Sequence, residues 1–201
     1  MEWSNFLSAI SGAIVGGFVT GFFSLKATQK AHEHEKQKSK ENDEALIAGL
    51  LQAIHDEIET VYDRYQETMG SRIESLNEGE ALVFYYPLAS DFFTFYNGNS
   101  FLIGRIPSND LRKQIIKTYT LSKGMVDSFR MNNDLVSKYE FSEKLFAETQ
   151  LDVHKQQAIS HFVLLIEYAK TLKEFHKSLK QEISSLLREL RKNGVLNEKG
   201  N

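Results

Sequence analysis

The residues best equipped for chemistry are the histidines. His32 and His34 flank Glu33, but they lie two apart. On a helix that spacing points them to different sides, unlike the i,i+4 pair of an HExxH zinc site. They read as part of a solvated face. His154 and His161 are seven apart and share a face, yet no third ligand accompanies them at useful spacing. His176 interrupts a row of apolar residues, where a partly buried histidine touching a neighbouring helix is the expected role. The chain has no cysteine, which removes disulfides, thiolate metal sites and cysteine nucleophiles together and suits a reducing compartment. It also lacks a glycine-rich phosphate loop, a G-x-S-x-G elbow and the paired Glu-x-x-His motifs of di-iron bundles. The expectation is therefore a protein that is not an enzyme, with no catalytic residues, no metal and no cofactor.

Bulk composition narrows the class further. A net charge of −3 over 201 residues lacks the basic excess of a general nucleic-acid binder. Only Pro87 and Pro107 interrupt the chain. Proline inside a helix costs roughly 3 kcal/mol, so the long proline-free stretches on either side favour long helices and an all-α fold.

The elements can be taken in order. Residues 6–25, FLSAISGAIVGGFVTGFFSL, hold 20 positions without a charge. At about 1.5 Å per residue such a helix spans a hydrocarbon core of roughly 30 Å. No Lys or Arg precedes it, whereas Lys26, Lys30, Lys36, Lys38 and Lys40 follow. The positive-inside rule then puts the C-terminal bulk in the cytoplasm, with Trp3 as an interfacial anchor. Small residues recur every fourth position at Ser4, Ser8, Gly12, Gly16, Thr20 and Ser24, and a second row holds Ala9, Ala13, Gly17 and Gly21. Lipid tails are as apolar as leucine, so helices in a membrane associate through close backbone approach. Ser8, Gly12, Gly16, Gly17, Thr20 and Gly21 are the expected packing residues of a homo-oligomer, crossing at about −40°. This pattern over residues 4–24 resembles the glycine-zipper helices of several channels and pore-forming proteins.

Residues 26–45 carry no large apolar side chain; Glu33 with Lys36 and Glu35 with Lys38 pair at i,i+3. A solvated helical stalk is expected here. Residues 46–193 form the expected cytoplasmic domain, an antiparallel helical bundle, and residues 194–201 a tail. In its first helix Ile47, Leu51, Ile54, Ile58, Val61 and Tyr65 alternate spacings of four and three. In its last, Ala158, Phe162, Leu165, Ala169, Leu172, His176, Leu179, Ile183, Leu186 and Leu190 continue that coiled-coil rhythm, which calls for a partner helix. Gly194 after Arg191 and Lys192 marks its C-terminus. The middle helix opens at Ser108-Asn109-Asp110, buries Leu111, Ile115, Ile116, Tyr119, Met125, Val126 and Phe129, is weakened at Gly124 and frays at Asn132-Asn133.

Between the first and middle helices lies an aromatic-rich insertion, residues 81–106. Eight of the chain's 23 aromatics fall between Phe84 and Phe101. Ser90-Asp91 reads as a cap for a short helix holding Phe92, Phe93, Phe95 and Tyr96, and Asn97-Gly98-Asn99 as a turn or interruption. The aromatics either plug one end of the bundle or form a docking surface for a protein partner. Tyr85, Tyr86, Tyr96, Asn97, Asn99 and Arg105 are the candidate docking residues.

The run YPLASDFFTFYNGNSFLIGRI, followed by LRKQIIKTYTLSKGMVDSFRMNND, resembles a family of uncharacterised bacterial single-pass membrane-anchored helical proteins. Several small bacterial proteins of this plan resemble membrane effectors of phage defence. The resemblance implies a bacterial inner-membrane protein that contacts lipid, self-associates and senses or binds a protein partner, as a membrane-perturbing effector in antiviral defence. The alternative is a passive anchor or scaffold for a cytoplasmic complex.

Overall fold

The structure, a computed structural model, describes residues 2–88 and 92–195, with side chains described from Ser24 onward. All regular structure among the described residues is helical: α1 (Glu2–Tyr65), a π-helical turn (Gln66–Gly70), α2 (Ser71–Ser75), α3 (Thr94–Asn99), a 3₁₀ turn (Ser100–Arg105), α4 (Asn109–Thr149) and α5 (Asp152–Lys192). The fold is all-α. Among the described residues no helix is long and apolar enough to cross a membrane. Residues 6–23 of the uncharged run, with Ser8, Gly12, Gly16, Gly17, Thr20 and Gly21, lie outside the described side chains, as does the proposed cap Ser90-Asp91 outside the described residues.

The chain divides into two units at Ile47 and Ala48. In the first, every described side chain from Ser24 to Leu46 is exposed. Local contacts support its helix: the Thr28 hydroxyl donates to the Ser24 carbonyl, Gln37 to Glu41, and Lys40 pairs with Glu44 at 3.7 Å. Exposed i,i+4 pairs add only about 0.2–0.5 kcal/mol each. Helix formers without an apolar stripe give this surface.

The second unit is a bundle built on the α4–α5 hairpin. Gln114 bonds Ser185, Lys117 pairs with Glu182, the Tyr168 hydroxyl donates to the Ser128 carbonyl, and Ser142 meets His161. One partner climbs its helix as the other descends, so the two are antiparallel. Gln150 closes the hairpin with φ of 55° and donates its backbone N–H to the Phe146 carbonyl at 2.8 Å. That is the left-handed stop of a helix C-terminus, adopted by a residue other than glycine.

Packing follows the apolar rhythm. Ala158, Leu165, Ala169, Leu172, His176, Leu179, Ile183, Leu186 and Leu190 are buried along α5, and only Phe162 of the expected row is exposed, at 37 %. Leu51, Ile54 and Ile58 of α1 are buried with them. The Ser108 side chain caps α4 by accepting from the Leu111 N–H, and α5 ends at Lys192 with Gly194 at φ of 89°. Val195, within the expected tail, is buried.

Two expectations for α4 are corrected. The helix does not fray at Asn132-Asn133 but runs on to Thr149, and both asparagines are buried. Ile116 is exposed, and Thr118 and Ser122 take inward positions instead. Each of their hydroxyls donates to the carbonyl four residues back, Gln114 and Thr118, which removes the cost of burying them. Gly124 is a contact point: a Cβ there would come within 2.9 Å of the Phe175 ring on α5. Its missing side chain leaves room for that ring.

Candidate partner face, polar clamps and cavity

Residues 76–88 and 92–108 cross the bundle as a strap. Its residues 76–88 form no regular element, so side chains of the helices supply partners for their backbone. Asn133 of α4 does so twice. Its Oδ1 accepts from the Tyr86 N–H at 2.8 Å and its Nδ2 donates to the Tyr86 carbonyl at 2.6 Å. One amide side chain thus imitates a strand neighbour. Asn132 Nδ2 donates to the carbonyls of Leu82 and Phe84 at 3.3 and 3.2 Å, and Lys173 of α5 donates to the Leu76 carbonyl at 2.6 Å.

Glu57 of α1 provides the second clamp. Its carboxylate accepts from the N–H groups of Phe95 and Tyr96 at 2.7 and 3.1 Å and from the Tyr119 hydroxyl at 2.8 Å. The first turn of α3 has no side-chain cap of its own, and a carboxylate from a distant helix does that work. Burial first, then the bond to Glu57, raises the Tyr119 pKa, so its hydroxyl stays a donor.

The strap divides between core and surface. Leu82, Phe93, Ile103 and Ile106 are buried, and the Phe93 ring meets Tyr119 edge-on at 5.4 Å. Facing out are Val83, Tyr85 at 56 % exposure and Phe101 at 75 %. Among the six candidate docking residues, Tyr85 is exposed. Tyr86 is half-buried with its ring 5.6 Å from Phe129, and Tyr96 stacks on Tyr119 at 3.7 Å. Asn97 is exposed and accepts from Lys123 at 2.8 Å, while Asn99 donates to the Phe95 carbonyl. Arg105 is exposed and engaged in an interaction. Tyr85, Asn97 and Arg105 reach solvent; Tyr86 and Tyr96 present one side and pack the other.

Of the histidines, His32 and His34 are exposed, and among the described residues no three His, Asp or Glu are placed to share a metal. His161 Nδ1 lies 2.8 Å from the Ser142 hydroxyl and His154 Nδ1 2.6 Å from that of Thr149, each joining α4 to α5 near the hairpin turn. His176 is buried at 4 % exposure, with Nδ1 2.6 Å from the Tyr65 hydroxyl and Nε2 3.0 Å from Glu74 Oε1. Lys180 completes this line at 2.6 Å from the same carboxylate oxygen. The bonds from Lys180, then from His176, hold the Glu74 pKa down at about 2. Tyr65 is shifted upward by burial, then by Tyr62 and Glu74. A phenol pushed in that direction is not an activated nucleophile, so this Tyr–His–Glu line ties elements together. His55 escaped the sequence reading. It is fully buried on α1, with Nδ1 3.2 Å from Asp56 Oδ1 and Nε2 unpartnered. It falls one position beyond Ile54 in the α1 row, which is its only sequence signal.

Beneath the strap lies a cavity of about 260 Å³. Ile58, Val61, Tyr62 and Tyr65 of α1, Tyr86 and Phe93 of the strap, Met125, Val126 and Phe129 of α4, and Leu179 and Ile183 of α5 line it. The Tyr62 hydroxyl is buried without a hydrogen-bond partner.

Fold and site together define an all-α protein in which a long antiparallel hairpin carries a side-chain-clamped aromatic strap. No family model, no curated protein and no solved structure matches the chain.

Proposed function

We propose that this is a self-associating single-pass membrane protein that holds its helical bundle in the cytoplasm and uses the exposed side of the strap to bind a protein partner. The observation that carries the reading is the uncharged run 6–25, with no cation before it and five lysines close behind. A charged residue at mid-membrane costs at least about 2.5 kcal/mol on insertion scales, and this run has none. The every-fourth-residue row Ser8, Gly12, Gly16 and Thr20, with Gly17 and Gly21 beside it, is the means of self-association. Support for the docking role comes from the exposed Tyr85 and Phe101, held on a strap whose backbone is fixed by Asn133 and Glu57. Aromatic anchors that are already ordered bind at lower entropic cost.

A membrane-perturbing effector of phage defence uses such a plan to convert partner binding into a change of the span; a passive scaffold uses the same parts without one. Fractionation tests the common premise. The full-length chain is expected in the membrane pellet and a chain lacking residues 6–25 in the supernatant. Equal distribution of the two would refute the anchor. Dye entry on induced expression then separates the uses, since a scaffold leaves the membrane tight.

A further inference from the structure

We propose that an outer groove of the α4–α5 hairpin is a self-association surface, where the same groove of a second copy docks to close a four-helix bundle. This contact is separate from the one assigned to residues 6–25 and does not rest on it. The strap bonds α4 at Asn132 and Asn133 and α5 at Lys173. Beyond them the hairpin continues to Thr149 and returns from Asp152. Of the fourteen large apolar residues exposed among the described residues, seven fall from Phe141 to Leu164. Apolar side chains so concentrated mark an interaction surface. On one face of this arm an open groove of about 840 Å³ runs over Tyr139, Phe146 and Ala147 of α4 and Ala158, Ile159 and Phe162 of α5. Tyr139, Glu143, Phe146 and Gln150 recur at steps of four, three and four, and Lys155, Ile159 and Phe162 at four and three. This is a second heptad row on each helix, and such a row packs against a further helix. Ile159 and Phe162 are 47 % and 37 % exposed, so the place of that helix is open.

Charge selects the occupant. The other residues lining the groove are Glu140, Glu143, Lys144, Gln150 and Lys155. Lys144 pairs with Glu148 of its own helix at 3.9 Å, and the Gln150 amide donates to the Ala147 carbonyl. Glu143 accepts from the Tyr139 hydroxyl and keeps its negative charge. The α4 rim is therefore acidic, through Glu140 and Glu143, and the α5 rim basic, through Lys155. A twofold axis along the hairpin sets α4 of one copy against α5 of the other, so each acidic rim meets a basic one. An axis across the hairpin sets α4 on α4 and brings the glutamates together. The heights agree with the first arrangement. Tyr139 is level with Phe162 and Thr149 with His154, which puts Lys155 about one helical turn from the level of Glu143.

Capture between two differently tagged full-length copies in detergent tests the contact, with Gly12→Ile and Gly16→Ile in both to remove association through the span. Lys155→Glu makes both rims acidic, and Glu140→Lys with Glu143→Lys makes both basic. Copies of like charge should retain each other roughly tenfold less than copies with the native rims, whereas an acidic copy should retain a basic one at least as well as the native pair. Ile159→Asp, at a half-exposed position and with circular dichroism unchanged, should also abolish capture. No capture between copies with the native rims, or equal capture in every charge combination, would overturn the interface. Capture that survives Ile159→Asp would overturn the groove as its place. If the basic variant unfolds, Lys155→Glu copies against each other and Ile159→Asp still decide. The isoleucine pair on its own reads the span, so failure of that association is told apart from failure of this one.

Discussion

The hydroxyl of Tyr65 lies 2.6 Å from Nδ1 of His176, across 111 residues of chain. The other side of the ring fixes the direction of this bond. Glu74, held ionised by Lys180 and His176, has no proton to give, so Nε2 of His176 must donate to it. In the neutral ring Nδ1 is then the acceptor, and Tyr65 donates. One buried histidine thus joins the end of α1, α2 and α5.

This line makes stability depend on pH through Glu74. Its folded-state pKa, about 2, lies below the ordinary 4.5, so the contact stabilises the fold above pH 4.5 and the benefit fades as the pH falls toward 2. Glu74→Gln should lower Tm near neutral pH, and the gap from wild type should close at the acid end. Thermal melts across that range check it; a gap that stays constant would mean the carboxylate charge contributes nothing.

Asn133 should matter more to the strap than to the helix that carries it. Asn133→Ala leaves both polar groups of the Tyr86 peptide without their partners, a loss of about 1–3 kcal/mol. Urea unfolding should show the loss, and hydrogen exchange should show the Tyr86 amide losing protection while amides of α5 keep theirs.

Core and surface sides of the strap should separate under alanine substitution. Phe93 is 4 % exposed and packs on Tyr119. Phe93→Ala should cost about 3–5 kcal/mol. Tyr85→Ala, at an exposed position, should stay within about 0.5 kcal/mol while weakening partner binding. Equal destabilisation by the two would contradict the division drawn here.

Close packing of the small-residue row predicts that Gly12→Ile with Gly16→Ile abolishes oligomers in detergent and leaves membrane insertion intact. Cross-linking reads this directly. A double variant that cross-links like wild type would remove the row's assigned role.

Helix rhythm made the long elements legible in the sequence. The α5 row from Ala158 to Leu190 was readable because a partner helix demands one apolar stripe, and nine of its ten expected positions are buried. Phe162 escapes burial, although its ring still lies 5.3 Å from that of Tyr139. What misled was side-chain chemistry read without tertiary context. Asn132 and Asn133 look like helix breakers because asparagine competes for local backbone bonds. Here their amides face a strap 47 to 50 residues upstream, and no local pattern encodes that distance. Glu57 was invisible for the same reason: a charged residue on an amphipathic helix reads as solvated until the N–H groups it serves are in view. The strap was recognised as unusual from its aromatics, but alternation alone could not assign Phe93 inward and Tyr85 outward.

Cysteine labelling reads out a single crossing with a cytoplasmic bundle, because the chain has no cysteine of its own. Ser4→Cys, ahead of the span, and Ser160→Cys, exposed on α5, can each be treated with a membrane-impermeant maleimide in intact spheroplasts and after lysis. Ser4→Cys is expected to be labelled in both and Ser160→Cys only after lysis. Labelling of Ser160→Cys in intact spheroplasts, or protection of Ser4→Cys until lysis, would contradict it.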